Sequence, residues 1–233
     1  MEIQEPSPRL LISSLRFQSV SPWVLDRRGE LIARFSEKFE LPEWIAQQDV
    51  VQLYTTDLRT LFQLSVRDVY VSIENFEDLA QATNSARTFL SDALEALKVD
   101  QISWTGTRMH WLAAADSFEE LCAWFTGRSG SIAGALSASL DRPASDIGLV
   151  VEFKDKDPLV TTRLGPMRAE QAMAQFFRDK DVTHYPEQFL FLDLDRVHSN
   201  DRLKPAEALS RWKERVDSLS TLGDALLRSV SKS

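Results

Sequence analysis

This sequence predicts an α+β fold: two related halves, each a mostly antiparallel sheet covered by helices, with a long C-terminal helix. Three observations predict it. Strand-like and helix-like stretches alternate in the first half, in the order strand, helix, strands, helix, strand, helix, and the second half repeats that grammar. The stretch Phe189 to Asp195 is apolar on both faces of a strand, with Phe189, Phe191, Asp193 and Asp195 on one and Leu190, Leu192 and Leu194 on the other. Such a strand is central and covered on both sides. From Pro205 onward, Leu209, Trp212, Val216, Leu219 and Leu226 recur at spacings of three, four, three and seven, as on one face of a long helix.

Taken in order, residues 1–8 are an N-terminal arm containing Pro6 and Pro8, and the first half spans 9–126. Leu10 to Val20 reads as a strand. Pro22 starts a helix with Leu31, Ile32 and Phe35 on its apolar side, and Pro42 stops it. Val50 to Tyr54, Leu61 to Val66 and Asp68 to Ile73 are short strands, the last with strict apolar and polar alternation. Asn75 is placed as the cap of a helix reaching about Lys98, with Phe89, Leu90, Leu94 and Leu97 in its buried stripe. Gln101 to Ala113 returns as a strand, and Ser117-Phe118-Glu119-Glu120 is a capping box that opens a short helix to about Phe125. Residues 127–146, rich in Gly, Ser and Ala, are a linker. The second half, 147–233, holds a strand Ile147 to Phe153, a charged turn, a returning strand Leu159 to Leu164 and a helix Ala169 to Arg178. The Phe189 to Asp195 strand follows, and the polar run Arg196 to Arg202 leads to the C-terminal helix. The seam Leu209, Trp212, Val216, Leu219 and Leu226, with Gly223 in the vacant heptad position, admits two readings: a helix covering its own sheet, or a homodimer interface.

Composition bounds the function. The 233 residues are 43% hydrophobic and 27% charged, an ordinary core-forming balance. The net charge of −8 disfavours broad nucleic-acid binding. The single cysteine, Cys122, excludes an intrachain disulfide and sits mid-helix, where it reads as a small core residue. The start Met1 to Glu5 has no signal-peptide character, and no apolar run approaches the length of a membrane span, so a cytoplasmic protein is expected.

Three patterns carry candidate chemistry. Asp193 and Asp195, two apart on one strand face, suit a hard divalent cation such as Mg, with Glu152, Asp155 or Asp157 as a third ligand. The other reading is a strand end that reaches water. Glu152-Phe153-Lys154, closing an apolar strand, resembles the Glu-x-Lys half of the restriction-nuclease-like fold, which would make Glu152 a metal ligand and let Lys154 position a water; Asp141 is a poor candidate for the upstream acid. Gly130-Ser131 followed by Ser145-Asp146-Ile147-Gly148 resembles a degenerate nucleotidyltransferase signature, with Gly148 where the second acid belongs. His110, His184 and His198 are too scattered for zinc.

The segment Ile102-Ser103-Trp104-Thr105-Gly106-Thr107-Arg108 after a long helix, the strand ending Asp193-Leu194-Asp195 and the final helix together resemble an uncharacterised family of sporadically distributed bacterial proteins of similar length. The resemblance supplies no catalytic residues, and its patchy distribution points to defence or immunity systems. The expected function is a non-catalytic protein-binding or assembly protein with a protein partner or a second copy. The alternative is a divalent-metal enzyme acting on nucleotides or phosphodiesters through Asp193, Asp195 and Glu152.

Overall fold

A computed structural model of the chain describes residues 3–20, 23–129, 135, 138, 139, 147–154 and 158–232. Its elements are β1 (Ser7–Phe17), α1 (Trp23–Phe39), β2 (Glu43–Ala46), β3 (Val50–Tyr54), β4 (Thr60–Ser65), β5 (Asp68–Glu74), α2 (Leu79–Ala96), β6 (Ile102–Ala114), α3 (Phe118–Ser129), β7 (Leu149–Lys154), β8 (Leu159–Arg168), α4 (Ala169–Gln175), β9 (Gln188–Leu203) and α5 (Pro205–Lys232). The fold is α+β and ends in the long helix α5. Strands from 9–126 and from 147–233 join in one nine-stranded sheet, ordered β2-β3-β4-β5-β1-β6-β9-β8-β7, with antiparallel neighbours throughout. β9 lies between β6 and β8, so the strand Phe189 to Asp195 is central, as its two apolar faces require.

Each face of β9 enters a different core. Leu190, Leu192 and Leu194 pack into the main core, which takes Leu11 and Leu15 of β1, Met109 and Trp111 of β6, Phe89 and Leu90 of α2, Leu121 of α3, and Trp212 and Val216 of α5. Phe189 and Phe191 enter a smaller core on the opposite face, with Leu10, Leu112, Ala172 and Met173 of α4, Phe177 and Tyr185. α4 and the turn Val182–His184 cover only part of that second face.

The C-terminal helix is the covering element. Leu209, Trp212, Val216 and Leu219 are buried in the protein's own core, Leu226 is partly buried against it, and α5 packs on β6, β9 and α2. The Trp212 indole N–H donates to Ser13 Oγ at 2.8 Å beneath the helix. Those seam residues, which the homodimer reading places at an interface, thus meet the chain's own sheet. Gly223 sits there because the helix approaches Trp111 closely: a Cβ at that position would lie 2.3 Å from the Trp111 ring. Gly223→Ala should therefore destabilise the protein by about 1–3 kcal/mol in urea unfolding through overpacking. In a helix free of that contact, the same change would stabilise by roughly 1 kcal/mol.

Four expectations change in detail. β9 does not stop at Asp195 but runs to Leu203, held through Ser199 by pairing with β6. Asn75 does not cap α2; Asp78 does, accepting from the Ala80 N–H at 2.8 Å, while Asn75 takes a left-handed turn conformation at φ 50°. β2 is an additional edge strand in a stretch that carries no clean alternation. Cys122 is only partly buried.

Candidate functional site

Antiparallel register decides what surrounds the two aspartates. Asp193 of β9 stands opposite His110 of β6 on one side and Arg163 of β8 on the other; Asp195 stands opposite Arg108 and Thr161. Directly opposed residues share a face of the sheet, so Arg108, His110, Arg163, Asp193 and Asp195 form one cluster beside the smaller core. Asp193 is 2% exposed. Arg108 grips it in a fork, Nε to Oδ1 and Nη2 to Oδ2, both at 2.7 Å. Arg163 Nη1 donates to Oδ2 at 3.2 Å, and His110 Nε2 lies 3.3 Å from Oδ1. Phe176, Phe177 and Phe191 stack edge-on around the His110 ring.

The electrostatics follow from that shell. Burial pushes the Asp193 carboxyl up, but the adjacent His110 ring and the hydrogen bonds from Arg108 outweigh it and hold the group at about 2. Burial pushes the His110 imidazole down, only partly opposed by Asp193, so the ring is neutral at pH 7. Burial likewise raises the Asp195 carboxyl against the pull of Arg108, and no hydrogen bond or ion pair reaches that carboxyl among the described residues.

Two acid-destabilising steps result. His110 binds its proton more readily in the unfolded chain, so its contribution falls as pH drops below the ordinary histidine value of about 6.5. Asp193 has a depressed folded pKa, so its contribution is present above the ordinary 3.8 and is lost as pH falls toward about 2. The urea midpoint of the wild type should decline from pH 7 to pH 5 more steeply than that of His110→Phe. Parallel profiles would contradict the neutral buried imidazole.

This arrangement differs from the expected metal triad. Asp193 is neither at a strand end nor open to a cation, because guanidinium groups already occupy its oxygens. Glu152 pairs across to Thr161, and Thr161 to Asp195, so one strand separates Glu152 from Asp195 and their backbones stand about 10 Å apart. Glu152 is exposed on the edge strand, and Lys154 closes that strand. Among the described residues, no group of three or more metal-ligating side chains converges. Asp155 and Asp157, together with Asp141, Gly130-Ser131 and Ser145-Asp146 of the two motif resemblances, lie outside the described residues.

A second polar cluster went unseen in the sequence. Asp179, 3% exposed, accepts from Arg59 Nε at 3.0 Å and Asn75 Nδ2 at 2.9 Å, and His184 Nδ1 lies 2.7 Å away. Beside it, buried Glu74 accepts the backbone N–H groups of Arg178 and Asp179 and pairs with the Arg178 guanidinium at 2.8 Å. Together they fasten the segment after α4 to the ends of β4 and β5. Asn75, misassigned as a helix cap, belongs here. His184 does have acidic partners, but they come from the fold and not from ligand spacing.

The two edges of the sheet differ from its middle. β7 has no strand beyond it among the described residues and exposes apolar side chains on both faces: Val150 is 62% exposed, Phe153 57% and Leu149 46%. At the far edge, Trp44 and Ile45 of β2 are exposed as well. No described helix is long and apolar enough to cross a membrane. No protein-family model matches the chain, and no curated protein matches it in sequence.

Proposed function

We propose that the chain is a non-catalytic protein-binding or assembly protein that accepts an extended strand of a protein partner along β7. One observation carries this reading: an edge strand with no partner beyond it among the described residues and with apolar side chains exposed on both faces. Soluble sheets ordinarily blunt such edges, because unpaired N–H and C=O groups beside apolar side chains recruit another strand. Strand addition satisfies both at once, with backbone pairing for affinity and side-chain contacts for selectivity. The binding reading expects carboxylates tied into ion pairs and an apolar patch elsewhere, which matches Asp193 and β7. The enzyme alternative needs Asp193, Asp195 and Glu152 around one cation, whereas the Asp193 oxygens are bonded to Arg108 and Arg163. The partner is a second copy or another polypeptide, and the resemblance noted above points to a bacterial defence or immunity setting.

The test is Val150→Lys/Phe153→Glu, which charges the exposed edge without touching either core. Static light scattering across a concentration series reads self-association, and tagged recovery from the source cell reads other partners. The expected result is association by the wild type and its loss in the variant, at an unchanged melting temperature. A wild type that is monomeric and recovered alone would overturn the reading.

A further inference from the structure

Beside the Asp193 cluster, on the face of β8 that α4 only partly covers, lies a cleft of about 420 Å³, within the size range of small-molecule sites. We propose that it binds a small monocarboxylate with an aromatic or aliphatic body. Its floor and one wall are apolar: Met167 and the rings of Phe176 and Phe191, which stack at 4.8 Å. Gly165 shapes the opposite wall. A Cβ there would stand 2.8 Å from the Ile147 carbonyl oxygen, so only glycine lets the chain at Ile147 and Gly148 close over β8.

The polar groups are few. Gln171, whose Oε1 accepts from the Arg168 N–H at 2.9 Å, and Gln175 line it from the helical segment, and Arg163 is the one charged residue among the described residues that line the cleft. Its guanidinium is only lightly engaged. Arg108 already neutralises Asp193 through two 2.7 Å bonds, whereas Arg163 reaches Asp193 through Nη1 alone, at 3.2 Å, and its side chain is 45% exposed. A guanidinium carries five donors in a planar fork that matches a carboxylate. A cationic ligand would meet Arg163 with no acid among the described lining residues to offset it. A phosphate dianion would find one cation where such groups ordinarily take several. A carboxylate on an apolar body satisfies both the single charge and the rings.

The probe is 4-phenylbutyrate, compared by titration calorimetry with its neutral amide, 4-phenylbutyramide, and with acetate. For the wild type we expect saturable binding of 4-phenylbutyrate, about tenfold or more weaker binding of the amide, and none of acetate. Arg163→Gln should bind acid and amide alike. The site is refuted if the wild type fails to bind 4-phenylbutyrate, binds acid and amide equally, or binds acetate as well as the longer acid. It is also refuted if folded Arg163→Gln keeps the preference for the acid. The three-ligand comparison on the wild type decides the matter even if the variant does not fold.

Discussion

Replacing Asp193 by Asn will lower the unfolding free energy by about 3 kcal/mol, because the change leaves buried positive charge without its partner. Asp193 is the point at which three strands are tied, to Arg108 and His110 on β6 and to Arg163 on β8. Breaking a buried pair typically costs about 3–5 kcal/mol. The low end applies here because Arg163 is nearly half exposed and can turn its charge to water. Asp193→Leu/Arg108→Met, which removes the pair together, should recover most of the loss, since an apolar pair of similar volume is often neutral relative to a buried ion pair. Urea unfolding of the three proteins checks this. A loss below roughly 1 kcal/mol for Asp193→Asn would mean that the cluster contributes no more than a surface pair.

Trp212→Ala should be at least as damaging, by about 3–5 kcal/mol. The indole is fully buried between α5 and the sheet, and its N–H is bonded to the buried Ser13 hydroxyl. Truncation opens a cavity and strands that hydroxyl, and the two costs act together. The molar mass should not change, because the surface that Trp212 meets is in the same chain. A mild loss of stability accompanied by a halved molar mass would instead mark the seam as an intermolecular one.

That seam shows how far the sequence can be read. The spacing of Leu209, Trp212, Val216 and Leu219 specifies a long helix with one apolar face, and the helix is there. It does not say whether the surface it meets belongs to the same molecule. Gly223 held the missing signal: a glycine within an apolar seam implies close approach of a bulky neighbour, here Trp111. Strands with two apolar faces or strict alternation, Phe189 to Asp195 and Asp68 to Ile73, were legible because burial imposes those patterns. The extension of β9 through Arg196 to Leu203 was not, because its composition is that of a loop and only pairing with β6, and with β8 at Arg196 and Val197, holds it extended. The same limit hid the cluster. Arg108 and His110 are two apart on a strand, just as Asp193 and Asp195 are, and that matching parity was visible. Which strands are neighbours, and in what register, is a long-range property. The Asp179 network, drawn from Arg59, Asn75 and His184, left no local pattern at all.

The most direct test of the account sets the edge strand against the carboxylates. Tagged wild type, Val150→Lys/Phe153→Glu and Asp195→Ala/Glu152→Ala would each be recovered from the source cell and weighed by light scattering. The account predicts that the carboxylate variant keeps the partners and mass of the wild type while the edge variant loses them. Loss in the carboxylate variant, with the edge variant unaffected, would contradict it and return the function to Asp195 and Glu152.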